Sequence, residues 1–284
     1  MNYIIKIMST YSDLHLHSYF SDGFYSPKEL IDLAAKRGLK VISITDHNYL
    51  HNLNEFKLLA RYAKEKDIKI VEGIEISTKF KGVDIHLLGY SRQFKNRNLM
   101  DKKMKPIRNG YQKRGLKILA KIRQMGYKIS LKNFKKHQYI FLNSNLISWI
   151  CLNEFRKPID FWKKIRVQEK DNFMIDIEEA IGLINKAGGV AIVAHPGQIY
   201  KKYSKNFKDI LVKLIDCGLN GVEFCSKQND NKKLLKILEE LKKKYHLIFT
   251  GGSDFHGEIY LRDKKMGVYG LNKKNTNEFL KFIV

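Results

Sequence analysis

The stretch Asp13-Leu14-His15-Leu16-His17-Ser18 carries two histidines two residues apart on a candidate strand that opens at Tyr11. Residues i and i+2 of a strand point to the same face, so both imidazoles face one site. Asp22 follows in the next loop, within Ser21-Asp22-Gly23.

Working outward, further short apolar runs read as strands: Val41–Thr45, Ile68–Glu72, Asp84–Gly89, Val190–Ala194, Gly221–Phe224 and Leu247–Thr250. Amphipathic stretches lie between most of them. The first has Ser26 as cap, Pro27 at the first helical position, Glu29 to complete a capping box and Gly38 as its stop. Asp176–Ala187 places Ile177, Ile181 and Ile184 on one face, and Asn229–Lys244 does the same with Leu234, Leu235, Leu238 and Leu241. Alternating β and α elements imply a parallel sheet, and this many units suggest a β/α barrel. The Lys-rich stretch 93–172 breaks the rhythm and reads as helices, with Leu116, Leu119, Ile122 and Met125 on one apolar face and a second piece at Leu146–Leu152. The expected organisation is therefore a barrel over 9–92 and 173–284, with an inserted helical subdomain over 93–172.

The 284 residues suit one large barrel carrying an insertion. Lys and Arg number 53 against 29 Asp and Glu, a net charge of +24. Such a surplus attracts polyanions and speeds encounter with anionic substrates. Compositional bias explains it equally well, since most of the basic residues are Lys and Pro numbers only 4. The three cysteines, Cys151, Cys217 and Cys225, have no metal-like spacing; an odd, sparse count argues for a reducing compartment, the cytoplasm. The longest clearly apolar run, Val190–Ala194, is far short of a membrane span of about 20 residues. No signal peptide is visible before Thr10, and Met8 is an alternative start.

More potential ligands fall where strands end. Asp46-His47 closes the second strand, Glu75 follows Glu72-Gly73-Ile74, His86 lies on the fourth strand, and His195 ends Val190–Ala194 ahead of Pro196-Gly197. Asp254 and His256 sit in Gly251-Gly252-Ser253-Asp254-Phe255-His256-Gly257. In a β/α barrel the C-terminal strand ends converge on one mouth. Six imidazoles and three carboxylates gathered there are hard to bury without metal, and imidazole with carboxylate suits Zn, Mn and Fe. At three to four protein ligands each, with one shared carboxylate, the set suits about three divalent ions. His51, His137 and His246 lie in polar or Lys-rich surroundings and are expected at the surface.

This set of motifs resembles the PHP superfamily, named for polymerase and histidinol phosphatase. Within it the chain is most similar to the bacterial 3′,5′-nucleoside bisphosphate phosphatases and 5′-to-3′ exoribonucleases, and the similarity spans nearly the whole chain. The resemblance implies a distorted seven-stranded β/α barrel. It implies one metal site on His15, His17, Glu75 and Asp254, a second on Asp22, His47 and His256, and a third on His86 and His195 with Glu75 as bridge. It implies a phosphoesterase that attacks nucleotide phosphate esters directly with a metal-bridging hydroxide, with Asp22 and His256 orienting the phosphate or assisting protonation. Asp46 and Asp13 would act one layer out, fixing imidazole orientation. A basic cluster at the start of the insertion, Arg108, Lys113 and Arg114, would clamp a second substrate phosphate, since Arg binds phosphate bidentately. Where relatives tend to carry a His, this chain reads Asn143-Ser144-Asn145, and Asn145 can still hydrogen-bond a phosphate.

The expected partner is a small phosphorylated substrate, a 3′,5′-bisphosphonucleotide or short 5′-phosphorylated RNA, with no membrane and no obligate protein partner. Histidinol phosphate is the competing substrate. A non-catalytic, metal-dependent nucleic-acid-binding module is the alternative of another class. An amidohydrolase-type deaminase also begins with His-x-His on a barrel, but Asp22 and the Ser253–Gly257 motif fit it poorly.

Overall fold

The structure, a computed structural model, describes residues 10–128, 173–257 and 265–283. The strands are β1 (Ser12–Leu16), β2 (Val41–Ile44), β3 (Lys69–Phe80), β4 (Val83–Ser91), β5 (Ile175–Asp176), β6 (Val190–Val193), β7 (Gly221–Cys225) and β8 (Ile248–Gly251). The helices are α1 (Pro27–Lys36), α2 (Leu53–Glu65), α3 (Arg97–Gln124), α4 (Ile177–Lys186), α5 (Gly197–Tyr203), α6 (Phe207–Asp216), α7 (Lys232–Tyr245) and α8 (Lys273–Phe282).

One sheet runs β1-β2-β3-β4-β6-β7-β8, seven strands in path, with the short β5 paired to β3. The sheet curls until its ends meet. Leu16 bridges Phe255 just beyond β8, and the His17 amide donates to the Phe255 carbonyl at 2.9 Å. This is the distorted seven-stranded β/α barrel that the resemblance implied.

The expectation of an all-parallel sheet is corrected at β4, which runs antiparallel to both β3 and β6. Phe80 pairs with Val83, so the β3–β4 loop is two residues, Lys81 and Gly82, both at positive φ (48° and 80°). A two-residue turn with both central residues left-handed matches the twist of a hairpin and forces the return strand to run antiparallel. As a result β3 extends well past Glu72, and Glu75 lies in its interior rather than after its end.

Local chemistry sets the helix starts. The Ser26–Glu29 capping box is formed on α1, and Asn52 with Glu55 forms a second on α2. α3 buries Met100, Met104, Ile107, Tyr111, Gly115, Ile118, Leu119 and Ile122. Of the expected apolar face, Leu119 and Ile122 are buried, whereas Leu116 and Met125 are exposed. The first turns of α3 share one apolar core with Ile74 and Ile76 of β3, Leu87 of β4 and Ile184 of α4. The second helical piece expected at Leu146–Leu152 lies outside the described residues, as do His137 and Asn145. Among the described residues no helix is long and apolar enough to cross a membrane.

Candidate metal centre

All nine donor residues expected from the strand ends converge on one side of the curled sheet. His15 projects from β1 and His17 directly follows its end; both are fully buried. Glu75, also fully buried, projects from β3 into their midst: its Oε2 lies 3.3 Å from His15 Nε2, 3.1 Å from His17 Nε2 and 3.1 Å from His47 Nδ1. Its other oxygen faces His86 Nδ1 at 2.9 Å and His195 Nε2 at 3.2 Å. Asp254 Oδ1 approaches His17 at 3.4 Å and His15 at 3.7 Å. Asp22 Oδ1 faces His256 Nε2 at 3.2 Å and His17 and His47 at 3.7 Å.

Among the described residues, three groups have donor atoms within 4.8 Å of one another: His17, Asp22, His47 and His256; His15, His17 and Glu75; His47, Glu75 and His86. Two donors occupy strained backbone, His195 at φ 30° and Asp254 at φ 52°, conformations that persist where surrounding contacts over-determine them. Gly252 permits the last strand to approach β1, because a Cβ there would meet His15 Cβ at 2.3 Å.

The polar geometry fits divalent cations. His15 Nδ1 lies 2.9 Å from Glu223 Oε1, an acceptor, so Nδ1 carries the hydrogen. When neutral, the ring turns its Nε2 lone pair into the cluster, 3.1 Å from His17 Nε2 and 3.3 Å from Glu75 Oε2. His256 repeats the pattern. Its Nδ1 donates to the Asp254 carbonyl at 2.9 Å, which leaves the Nε2 lone pair facing the Asp22 carboxylate. Lone pairs opposed at this range repel unless a cation lies between them or the ring is protonated. Glu75 Oε2 is buried without a hydrogen bond of good geometry, although three imidazoles approach it. Nitrogen and oxygen donors so arranged suit Zn, Mn or Fe.

Charge coupling in the cluster is strong. Burial alone would lower the pKa of His15 and His17, but the nearby carboxylates more than offset it. Glu223 and Glu75 hold His15 well above the ordinary range, and Asp254 and Glu75 push His17 up to about 9. Burial would raise Glu75 and Asp22, yet the surrounding imidazoles hold both well below the usual carboxylate range. His47 goes the other way: burial, helped by His17 and His86, takes it down to about 3 against the pull of Glu75 and Asp22. A ring that holds a proton in this cluster must release it to bind metal.

The outer carboxylates differ from expectation. Asp13 and Asp46 do not orient the clustered imidazoles, because other donors occupy their oxygens. Asp13 accepts from the Ser253 amide (2.9 Å), the Ser253 hydroxyl (2.6 Å) and the Gly267 amide (2.7 Å). Asp46 accepts from the Ser18 amide (2.8 Å) and from the Ser18 and Ser21 hydroxyls (both 2.6 Å). Each therefore pins a loop that carries donors. The carboxylate that orients an imidazole is Glu223 on β7, which sequence reading missed. It takes the His15 Nδ1 hydrogen and also accepts the His195 amide at 2.7 Å. Its signal was present, a charged residue inside the apolar run Gly221–Phe224, since a buried charge requires a partner. His51, expected at the surface, is buried between Asp46 and Glu55. His246 is exposed at the end of α7.

The expected phosphate-binding cations lie on α3. Arg108 donates through Nη1 to the Asn48 carbonyl, next to His47, at 2.8 Å and through Nη2 to Asp101 at 2.6 Å, and its guanidinium lies over the Tyr49 ring. Arg114 stacks over Tyr111 and Phe173, and Lys113 is exposed.

Comparison with known proteins agrees with this architecture. Residues 13–222 match the PHP domain family. The chain is 28% identical to the 5′-3′ exoribonuclease of Haemophilus influenzae over 86% of this chain and 89% of that protein. It is 25% identical to the phosphoribosyl 1,2-cyclic phosphate 1,2-diphosphodiesterase of Eggerthella lenta, over 87% and 94% of the two chains. It is 27% identical to the 3′,5′-nucleoside bisphosphate phosphatase of Chromobacterium violaceum, over 86% of each. Among solved structures, a protein from Bifidobacterium adolescentis classed with metal-dependent phosphoesterases superposes with a TM-score of 0.80 at 21% identity, covering 96% of both chains. An amidohydrolase from Chromobacterium violaceum with bound sulfate superposes with a TM-score of 0.73 at 22% identity, covering 96% of this chain and 97% of the other. These two likenesses speak to the fold. The family match covers well over half of the chain and includes seven of the nine clustered donors; the chain belongs to the PHP domain family.

Proposed function

We propose that this protein is a metal-dependent phosphoesterase that hydrolyses phosphate esters of nucleotides, either 3′,5′-bisphosphonucleotides or short 5′-phosphorylated RNA, with up to three divalent ions of Mn, Fe or Zn. The observation that carries the reading is the buried Glu75 carboxylate ringed by five imidazoles at 2.9–3.3 Å. The names of the relatives support the substrate class.

His15, His17, Glu75 and Asp254 would hold one ion, Asp22, His47 and His256 a second, and His86 and His195 with Glu75 a third. Bound divalent ions supply Lewis acidity toward the phosphoryl oxygens and lower the pKa of a bound water from 15.7 to about 7. The chain's own part is to hold charge and geometry. Glu223 fixes the His15 tautomer, and Asp13 and Asp46 fix the loops on either side of the mouth. Asp22 and His256 would orient the substrate phosphate from their place on the second ion. Lys113, Arg114 and Asn145 would meet a second phosphate; Arg108 would join them with the donors it does not spend on Asn48 and Asp101.

Purified protein with added manganese should release phosphate from 3′-phosphoadenosine 5′-phosphate, and His15→Ala should abolish the release. Turnover of histidinol phosphate in place of the nucleotide would move the substrate assignment. Metal binding without turnover of either, or of short 5′-phosphorylated RNA, would favour a binding module.

A further inference from the structure

Helix α3 opens the stretch read from sequence as an insertion, yet its first turns grip the barrel at one loop. That loop, 45–52, joins β2 to α2 and carries His47. Arg97 donates through Nη1 to the His51 carbonyl at 2.6 Å, and Arg108 donates through Nη1 to the Asn48 carbonyl at 2.8 Å. The two arginines are eleven residues apart, about three turns at 3.6 residues per turn, so they share one face of the helix. A second contact aims each guanidinium. Arg97 Nη2 pairs with Glu72 of β3. Arg108 Nη2 donates to Asp101, two turns back on α3, at 2.6 Å, and its guanidinium carbon lies 6.0 Å from the centre of the Tyr49 ring.

The loop is one that needs holding. Asn48 is fully buried and takes φ 53°, in the left-handed region that side chains other than glycine rarely adopt. All of its polar groups are engaged. Its amide donates to the Glu75 carbonyl at 2.7 Å. Its side chain donates to the Ser77 hydroxyl at 3.0 Å and accepts the Ser77 amide at 2.9 Å. Its carbonyl takes Arg108. A buried carbonyl that loses its donor keeps the full cost of its desolvation, so the backbone would turn to find another partner. Any such turn moves the chain beside His47, whose Nδ1 lies 3.1 Å from Glu75 Oε2.

We infer that Arg97 and Arg108 are positioning residues for the metal centre: they hold the 45–52 loop to α3 by two of its carbonyls and so set His47 for the ion shared with Asp22 and His256. The inference rests on the metal reading of that group. The role differs from that of a phosphate clamp, which acts only once substrate is bound. It also has a sign of its own. Deleting a cation beside a site for divalent ions would by charge alone tighten them, whereas losing the position of a ligand loosens them.

The test measures manganese affinity without substrate, by competition with a chelator, in full-length wild type, Arg108→Ala, Arg108→Lys and Lys102→Ala. Lys102 is an exposed cation of the same helix. Arg108→Ala should bind one ion at least tenfold less tightly and keep the others as in wild type. Arg108→Lys, which keeps a donor, should recover much of that loss, and Lys102→Ala should match wild type. Unchanged or tighter binding in Arg108→Ala would overturn the role, and so would equal weakening of every ion, the mark of a general loss of fold. Arg97→Lys, which cannot serve Glu72 and the His51 carbonyl together, should weaken the same ion; wild-type affinity there would remove Arg97 from the role. A second arm needs no metal. In the metal-free proteins the Asn48 amide should exchange with deuterium at least tenfold faster in Arg108→Ala than in wild type, and equal exchange would count against the hold on the loop. If wild type binds no metal, the reading of the cluster fails and the role in metal binding with it, while the exchange arm still decides whether Arg108 holds the loop.

Discussion

Glu223 shows how much one buried residue can set. Its carboxylate fixes the hydrogen on His15 Nδ1 and ties down the amide of His195, whose backbone is held at φ 30°. A carboxylate behind a ligating imidazole fixes the tautomer and raises ligand basicity, and its loss typically costs 10–100-fold in metal affinity. Glu223→Gln keeps the shape and removes the charge. It should weaken manganese binding by about that factor with little change in fold, as read by competition with a chelator. Unchanged affinity would mean that Glu223 only fills space. Residue types such as these were legible, since His15, His17 and Asp22 declare themselves by spacing. The partners of Asp13, Asp46 and His51 were not, because each finds its contact on a residue remote in sequence or on a loop whose path only packing decides.

At the scale of elements, the caps were written locally. Ser26 with Glu29 opens α1 because both halves of the capping box lie within one turn. The direction of β4 was misjudged because it hangs on the backbone handedness of Lys81 and Gly82 rather than on hydrophobic pattern. α3 offers a sharper contrast. Met104 is buried in the main core, whereas Leu116 is exposed. Met104→Ala should destabilise by about 2–5 kcal/mol, and Leu116→Ala should stay within about 0.5 kcal/mol, as read from urea midpoints. Equal effects would mean that the apolar face lies where pattern alone put it. Leu116 and Met125 stay exposed although Leu119 and Ile122 are buried, because a Lys-rich helix carries apolar residues on more than one face and packing selects among them.

For the molecule as a whole, metal and protons compete for the same centre. In the metal-free protein His17 has a pKa of about 9, above the ordinary histidine value near 6.5. Its proton therefore stabilises the metal-free fold at low pH, and that contribution fades as pH rises from about 6.5 through about 9. Metal binding must displace the proton, so affinity should fall as pH is lowered through this window. Calorimetric titration at pH 7.5 in buffers of different ionisation enthalpy should report net proton release. Zero release would mean that His17 is already neutral in the empty site. Chelation should lower the melting temperature and added manganese should restore it, because a ligand bound only by the folded state stabilises that state. The charge of +24 bears on substrate length. If RNA is the substrate, turnover should fall steeply with salt, whereas a mononucleotide should respond weakly.

Sequence by itself determined the donor chemistry, the family and the alternation of strands and helices, because these rest on residue identity, on two-residue and helical periodicity, and on caps within one turn. Tertiary structure alone decided which donors lie together, which carboxylate steers which ring, and which apolar residues of α3 are buried. Those outcomes depend on distances between residues far apart in the chain. His15 and Glu223, separated by 208 positions, come within 2.9 Å only because the sheet curls and brings β1 and β7 to one centre.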